Sequence, residues 1–144
     1  MEQFILKNRN ALITGGSKGI GKATVELFLK LDANVLFTAR NEKLIEEVVT
    51  ELQKDFSNIE GIAADVTVVE DVVRLKSLIE EKWGQLDVLV NNAGTNIRKP
   101  TVDYTETEYQ QVIDTNITSV FRLNNAMYPL LKKGTNTSII NSSC

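Results

Sequence analysis

The sequence predicts an α/β fold in which parallel strands alternate with crossover helices. Short continuous apolar runs, typical of strands buried on both faces, are separated by longer stretches whose apolar residues recur at helical spacing. A glycine-rich segment, residues 15–21, directly follows the first run, where a tight strand-to-helix loop is expected. The length of 144 residues, 42% of them hydrophobic, suits one domain over residues 1–144.

Five strands are predicted from the apolar runs. They span residues 11–13, 35–37, 59–64, 86–90 and 138–141. Right-handed crossovers would join them into an open, doubly wound sheet, in which ligands bind at the carboxyl ends of the strands. No linker rich in proline, glycine or serine interrupts the pattern, so we expect no internal domain boundary.

Three helices are predicted between the first four strands. The first has its apolar stripe at Ile20, Ala23, Leu27, Phe28 and Leu31. The second is predicted to begin after Asn41, a good N-cap residue, with its stripe at Leu44, Ile45, Val48, Val49 and Leu52. The third is expected to end at Gly84, with its stripe at Val69, Val72, Val73, Ile79 and Trp83.

A long helix is predicted over residues 105–132. Its apolar stripe consists of Tyr109, Val112, Ile113, Ile117, Val120 and Phe121. Thr105 lies three residues before Glu108, which is the spacing of a capping box. The stripe is wider than one face of a sheet needs, so we expect this helix to take part in association.

The composition excludes several classes of function. The formal charge of −3 does not suit a nucleic-acid partner. The absence of histidine excludes Ser-His-Asp and Cys-His catalysis and most catalytic zinc sites, and we predict no metal site. A single cysteine favours a reducing, cytoplasmic setting. The first seven residues hold only three consecutive apolar ones, so we expect neither a signal peptide nor a membrane span.

The glycine-rich segment is the first candidate site. Gly15 suits a tight turn, Gly19 would let the backbone approach a ligand, and Gly21 would allow close packing of the helix. A phosphate group would be stabilised at the positive end of that helix. The alternative is that these glycines serve packing alone.

A competing phosphate motif overlaps this segment. Residues 16–23 nearly match the P-loop pattern G-x-x-x-x-G-K-[ST]. The last position is Ala23, and Thr24 lies one residue out of register. Because a P-loop needs a hydroxyl there for Mg²⁺, hydrolysis of ATP or GTP is disfavoured.

The end of the second strand indicates which dinucleotide would bind. A site for NAD would carry Asp or Glu there to hold the ribose 2′-hydroxyl, but the residues are Thr38-Ala39-Arg40. Arg40 and Lys18 are instead suited to a 2′-phosphate through charge-assisted hydrogen bonds. The pattern therefore favours NADP(H), with a merely solvated arginine as the alternative.

Polar residues follow the third and fourth strands. Asp65 is placed to accept a hydrogen bond from an adenine amino group or to cap a helix, and the two roles are compatible. The segment Asn91-Asn92-Ala93-Gly94 offers amides that can fix neighbouring strands and a backbone that can touch a coenzyme. Asn116 falls on the apolar stripe, where a buried amide needs partners, so a purely structural role is its alternative.

In their order and placement these segments resemble the short-chain dehydrogenase/reductase family over nearly the whole chain. The segments 38–40 and 95–100 are most similar to its tropinone-reductase-like branch. The resemblance implies a Rossmann-type sheet, NADP(H) as cofactor, and reduction of a small carbonyl substrate or oxidation of the corresponding alcohol. It also implies a homo-oligomer formed through the helix 105–132.

The resemblance implies roles for particular residues. The implied coenzyme-binding residues are Gly15, Ser17, Lys18, Gly19, Ile20, Gly21, Arg40, Asp65, Val66, Asn91, Ala93 and Gly94. Asn116 corresponds to the asparagine that holds a water in the proton relay. Ser143 is the candidate for the serine that orients the carbonyl, although an ungapped register places Cys144 there, a weaker donor.

The family's catalytic Tyr-x-x-x-Lys motif follows the serine strand. We therefore predict that this chain is the N-terminal portion of the family fold, that its C-terminal part is missing, and that the chain lacks the motif. Alone, it is expected to bind the coenzyme better than it catalyses. The alternative is a catalytically silent protein that uses the fold to bind a dinucleotide or as a scaffold.

Overall fold

A computed structural model describes residues 5–142, so the alternatives Ser143 and Cys144 lie outside the described residues. Five parallel strands form one sheet with the order β3-β2-β1-β4-β5. The strands are β1 Asn10–Thr14, β2 Asn34–Ala39, β3 Ile59–Ala63, β4 Val88–Asn91 and β5 Ser138–Asn141. From β1 the chain adds β2 and β3 on one side of the sheet and then β4 and β5 on the other side. The predicted doubly wound, Rossmann-type sheet is therefore confirmed.

The helices lie where the sequence predicts them, with one interruption. They are α1 Gly19–Lys30, α2 Glu42–Leu52, α3 Val69–Lys82, α4 Glu106–Ile113 and α5 Ser119–Leu131. The predicted single helix over residues 105–132 is broken by a π-helical turn, Asp114–Thr118, between α4 and α5. The Thr105–Glu108 capping box and the Asn41 cap are both confirmed.

The core has two layers, one on each face of the sheet. Successive strand residues point to opposite faces, so Ile13 packs with α1 and α2 while Leu12 packs with α3 and α5. The first layer also holds Phe37, which is fully buried. Helices cover both faces of β1, β2 and β4, which explains why these strands are buried and largely apolar, whereas every residue of β5 is exposed.

The predicted packing face is correct for α2 and partly correct for α1 and α3, where the predicted Phe28, Leu31 and Trp83 pack against the core. On α1 the buried residues are Gly21, Val25 and Leu29. By contrast, Ile20 and Leu27 are 71% and 53% exposed. On α3 the predicted Val72 and Ile79 are buried together with Leu75, whereas the predicted Val69 and Val73 are exposed. Apolar residues occupy two faces of these helices, and the spacing alone does not distinguish which face meets the sheet.

The predicted stripe of the last helix is also only partly correct, because Val112, Ile113 and Val120 are half-buried while its other three members are exposed. Tyr109, Ile117 and Phe121 are 58%, 60% and 68% exposed. The core contacts come instead from Ser119, Leu123, Met127, Leu130 and Leu131. A π-helical turn accommodates one extra residue, which shifts the helical phase by about 100°. Residues before and after it therefore do not continue on one α-helical face.

Candidate functional site

The carboxyl ends of β1, β2, β3 and β4 open into a cleft of about 1080 Å³. This is the place where open parallel sheets bind ligands, beside the strand at which their order reverses. Ten of the twelve predicted coenzyme residues line the cleft, the exceptions being Gly21 and Asn91. Its walls also include nine residues outside that set, of which Thr38, Ala39 and Asn92 lie in segments that the sequence analysis singled out: Thr38, Ala39, Asn41, Leu44, Ala64, Thr67, Asn92, Gln111 and Thr115.

Some of these additional cleft residues could have been predicted from their positions relative to the strands. Thr38 and Ala39 end β2, and Ala64 and Asn92 directly follow β3 and β4, where cleft residues are expected. Gln111 and Thr115 are different, because they come from α4 and the π-helical turn. No sequence signal places them at the cleft.

Glycine is required at different positions of the first loop for different structural reasons. Gly15 has a φ of +66° and Gly19 a φ of +58°, both in the left-handed region that favours glycine. A Cβ on Gly19 would meet no atom within 4 Å, so the backbone there is open to the cleft. A Cβ on Gly21 would lie 1.9 Å from the Gly15 carbonyl oxygen. The absence of a side chain at Gly21 therefore lets α1 pack directly against the loop, which is the role predicted for this glycine.

Thr14 and Asn92 join the glycine loop to the end of β4. The Thr14 hydroxyl oxygen accepts hydrogen bonds from the backbone N–H groups of Asn92 and Ala93, at 3.0 and 2.9 Å. The Asn92 side chain donates to the Gly15 carbonyl oxygen at 3.2 Å. These bonds join the two loops where they line the cleft.

Asn91 is buried and connects three elements. Its Nδ2 donates to Oδ1 of Asn124 on α5 and to Oδ1 of Asn141 on β5, each at 2.9 Å. Ser142 continues this connection, because its hydroxyl donates to Asn92 Oδ1 at 2.9 Å. Asn91 thus has the strand-fixing role predicted from the sequence, and it lies behind the cleft wall rather than on it.

Two cationic side chains face the cleft from neighbouring strands. Lys18 lies in the loop after β1, and Arg40 follows β2. Within residues 5–142 neither side chain makes a hydrogen bond or an ion pair, and both residues are exposed. The first turn of α1 has no acidic residue. This part of the cleft is therefore suited to an anionic ligand.

Asp65 closes a short turn after β3. Its Oδ1 accepts from the Thr67 backbone N–H at 2.9 Å and from the Thr67 hydroxyl at 2.6 Å. The N-cap of α3 is Val68, and no side chain caps it. The predicted helix-capping role of Asp65 is therefore wrong. The contact of Asp65 with an adenine stays a prediction, and Asp65 does line the cleft.

Asn116 lies in the π-helical turn and is paired with the loop after β4. Its Oδ1 accepts from the Thr95 N–H at 2.8 Å, and its Nδ2 donates to the Thr95 carbonyl oxygen at 2.9 Å. This pairing satisfies the amide, as expected for a partly buried asparagine. Asn116 does not line the cleft, and its role in a proton relay stays a prediction.

The loop after Thr95 is held against α4. Lys99 Nζ donates to Glu108 Oε1 at 2.6 Å, and the Tyr104 hydroxyl donates to the Ile97 carbonyl oxygen. The Lys99 ammonium lowers the pKa of Glu108, and the Thr105 backbone N–H lowers that pKa further. The capping box of α4 therefore also anchors the loop that leaves the cleft.

The Tyr-x-x-x-Lys spacing does occur in this chain, which corrects our prediction that it is lacking. Tyr128 and Lys132 have this spacing, and Lys132 Nζ lies 5.6 Å from the centroid of the Tyr128 ring. They flank the end of α5, where Leu130 accepts a hydrogen bond from Leu86 ahead of β4. The pair therefore lies at the amino ends of the strands, on the opposite edge from the cleft.

Comparison with known proteins identifies the family. A family model described as short chain dehydrogenase matches residues 9–144. The chain belongs to this family. A tropinone reductase homolog from Arabidopsis thaliana is 40% identical over 139 residues, which cover 96% of this chain and 52% of the relative. A second such homolog is 34% identical over 140 residues, covering 96% and 53%. The chain thus spans about half the length of the curated relatives it matches.

Solved structures of this short-chain dehydrogenase family support the same fold. A short chain dehydrogenase from Mycobacterium smegmatis matches with a TM-score of 0.88 and 32% identity, over 96% of this chain and 59% of that one. RhlG from Pseudomonas aeruginosa, solved as an NADP active-site complex, matches with a TM-score of 0.87 and 33% identity, over 96% and 55%. The predicted resemblance, including its tropinone-reductase-like character, is confirmed.

Proposed function

We propose that the cleft of this short-chain dehydrogenase binds NADP(H) for an oxidoreductase reaction on a small carbonyl compound or secondary alcohol. The observation that carries this proposal is that Lys18 and Arg40 both line the cleft and that no carboxylate stands at the end of β2. The NADP complex of RhlG supports the same choice of coenzyme. When bound, NADP(H) would supply or take up a hydride at its nicotinamide ring.

The chain's own groups fit the phosphates of such a ligand. The first N–H groups of α1 have no partner inside the helix and lie at its positive end. Gly19 leaves space above the backbone, so a phosphate can approach these N–H groups closely. Lys18 and Arg40 would hold the 2′-phosphate, while the Thr14 and Asn92 hydrogen bonds keep the walls fixed.

The double variant Lys18→Ala, Arg40→Ala tests the choice of coenzyme. We expect unaltered protein to bind NADPH at least about tenfold more tightly than NADH, because each charge-assisted hydrogen bond contributes about 1.5–3 kcal/mol. The double variant should lose this preference and bind NADH as before. Fluorescence titration of the 144-residue chain with both coenzymes measures this.

Lys43→Ala is the matched control for charge. Lys43 is exposed on α2 and does not line the cleft, so its removal should leave the preference within about twofold. Equal or tighter binding of NADH by the unaltered chain would contradict the proposed roles of Lys18 and Arg40.

A catalytically silent dinucleotide-binding or scaffold protein is the second candidate. It is supported by the three tyrosines of the chain, none of which lines the cleft. The chain alone is accordingly proposed to bind the coenzyme without turnover. A Tyr-x-x-x-Lys motif encoded in frame after Cys144 would favour the enzyme, and a stop codon there would favour the silent protein. Carbonyl reduction by the chain alone would contradict the second candidate.

We further propose a homo-oligomer through the exposed apolar residues Tyr109, Ile117 and Phe121. Replacing both Ile117 and Phe121 with Asp should convert the oligomer to monomer, because burying an unpaired carboxylate at an interface is costly. Light scattering measures the mass of the particle. The control is Leu27→Asp, which changes an exposed leucine of α1 and should leave the mass unaltered. A monodisperse monomer of the unaltered chain would overturn this proposal.

The cellular location stays a prediction. Within residues 5–142, no helix has the length and apolar character needed to cross a membrane. We propose a cytoplasmic protein from its single cysteine, while one tropinone reductase homolog from Arabidopsis thaliana is described as chloroplastic. Microscopy of a tagged protein in its own cells would decide between these locations.

A further inference from the structure

The turn between β3 and α3 is held from behind by an acidic side chain of the helix. Residues 64–67 of this turn line the cleft. The backbone N–H of Asp65 points away from any strand partner and donates to Asp71 Oδ2 at 2.8 Å. Asp71 lies in the first turn of α3, six residues further along the chain.

Arg74 extends this support to the end of β3. Its NH2 donates to the Ala63 carbonyl oxygen at 2.8 Å and lies 3.4 Å from Asp71 Oδ1. The Asp65 N–H lowers the pKa of Asp71, and Arg74 lowers it further, so the carboxylate is ionised at neutral pH. Asp71 and Arg74 together fix the backbone on both sides of the turn.

Asp71 makes a different hydrogen bond from the one that an acidic residue in the first turn of a helix usually makes to the N-cap. In α4 of the same chain, Glu108 bonds back to the N–H of its own N-cap, Thr105. Asp71 holds the same position in α3 but bonds to Asp65, three residues ahead of the N-cap Val68. Its carboxylate therefore orders the turn at the cleft rather than capping the helix.

Asp65 is thereby fixed at two atoms. Asp71 holds its N–H, and Thr67 occupies its Oδ1. Its other oxygen, Oδ2, accepts no hydrogen bond within residues 5–142. A carboxylate oxygen held at the cleft wall is suited to accept from an amino group of a bound base.

We propose that Asp71, held by Arg74, is a positioning residue that orients Asp65 toward the adenine amino group of the coenzyme. This inference rests on the proposed function, because it requires a dinucleotide in the cleft. Asp71 does not line the cleft, so its effect on the ligand would pass through Asp65.

The test compares NADPH with its hypoxanthine analogue, reduced nicotinamide hypoxanthine dinucleotide phosphate. The analogue carries a keto oxygen in place of the adenine amino group, so Asp65 would lose a donor and meet a second acceptor. We expect the unaltered chain to prefer NADPH by about tenfold or more in fluorescence titration. Asp71→Ala should reduce the preference to below about threefold, as should Asp65→Ala.

Conservative and control variants separate positioning from general stability. Asp71→Asn keeps an oxygen that accepts from the Asp65 N–H, so it should retain most of the preference. Glu70→Ala removes the neighbouring first-turn carboxylate, which is exposed and does not line the cleft, and should leave the preference unchanged. Where Asp71→Ala does not fold, Arg74→Gln replaces it and should also lower the preference.

The outcomes distinguish this proposal from the proposed function. If the unaltered chain binds neither coenzyme, the proposed function fails, and this inference fails with it. If it binds both equally, Asp65 does not contact the amino group and the positioning role is overturned. If it prefers NADPH and Asp71→Ala, or Arg74→Gln in its place, keeps that preference, the role of Asp71 alone is overturned.

Discussion

Gly21→Ala is expected to destabilise the fold by about 3 kcal/mol, at the upper end of what overpacking costs. The added Cβ would lie 1.9 Å from the Gly15 carbonyl oxygen and 2.5 Å from Asn92 Nδ2. Both belong to the hydrogen-bonded corner that joins the glycine loop to the end of β4. The loop must therefore move, and NADPH binding should weaken at least about tenfold in the same variant.

Urea denaturation of the two glycine variants measures this effect. Gly19→Ala is the control, because a Cβ on Gly19 meets no atom within 4 Å and the only penalty is its positive φ. That penalty is about 1–2 kcal/mol for an L residue. A Gly21→Ala chain that unfolds at the same urea concentration as the unaltered chain would contradict the close contact between α1 and the loop.

Leu29→Ala is expected to cost about 2–5 kcal/mol of unfolding free energy, as is typical when a buried leucine leaves a cavity. Leu29 is 1% exposed and packs against the sheet in the first core layer. Leu27→Ala, two residues away on the same helix, should change the stability by less than about 0.5 kcal/mol because Leu27 is exposed. Urea denaturation compares the two variants directly.

This pair of leucine variants also tests the packing face of α1. The spacing of apolar residues predicts Leu27 in the core, whereas the structure buries Leu29. If Leu27→Ala were the more damaging change, α1 would be rotated relative to the sheet.

The strands β1, β2 and β4 were predictable because a parallel strand covered on both faces is a continuous apolar run. The exposed strand β5 was predicted from its two isoleucines, Ile139 and Ile140. Each of the five predicted runs overlaps an observed strand, and no boundary differs by more than two residues. The helix faces were less predictable, since α1 and α3 carry apolar residues on both sides. Only contact with the sheet decides which side is buried, and for α5 the π-helical turn changes the phase as well.

The part of the candidate site that directly follows strand ends was predictable from the sequence. The glycine loop, Lys18, Arg40 and Asp65 adjoin strand ends, so the alternation of strands and helices was enough to predict one cleft for them. Gln111 and Asp71 were missed because their positions at the site depend on contacts between separate elements, which the spacing of residues in the sequence does not indicate.

By itself, the sequence determined the α/β class, the family resemblance and the absence of a carboxylate after β2, because these depend on local composition and order. Only the tertiary structure decided that Asn91 lies behind the cleft while Asn92 lines it, and that Asp65 closes a turn rather than capping α3. The physical reason is that buried polar groups must all find partners, and which partner is within reach depends on how the elements pack.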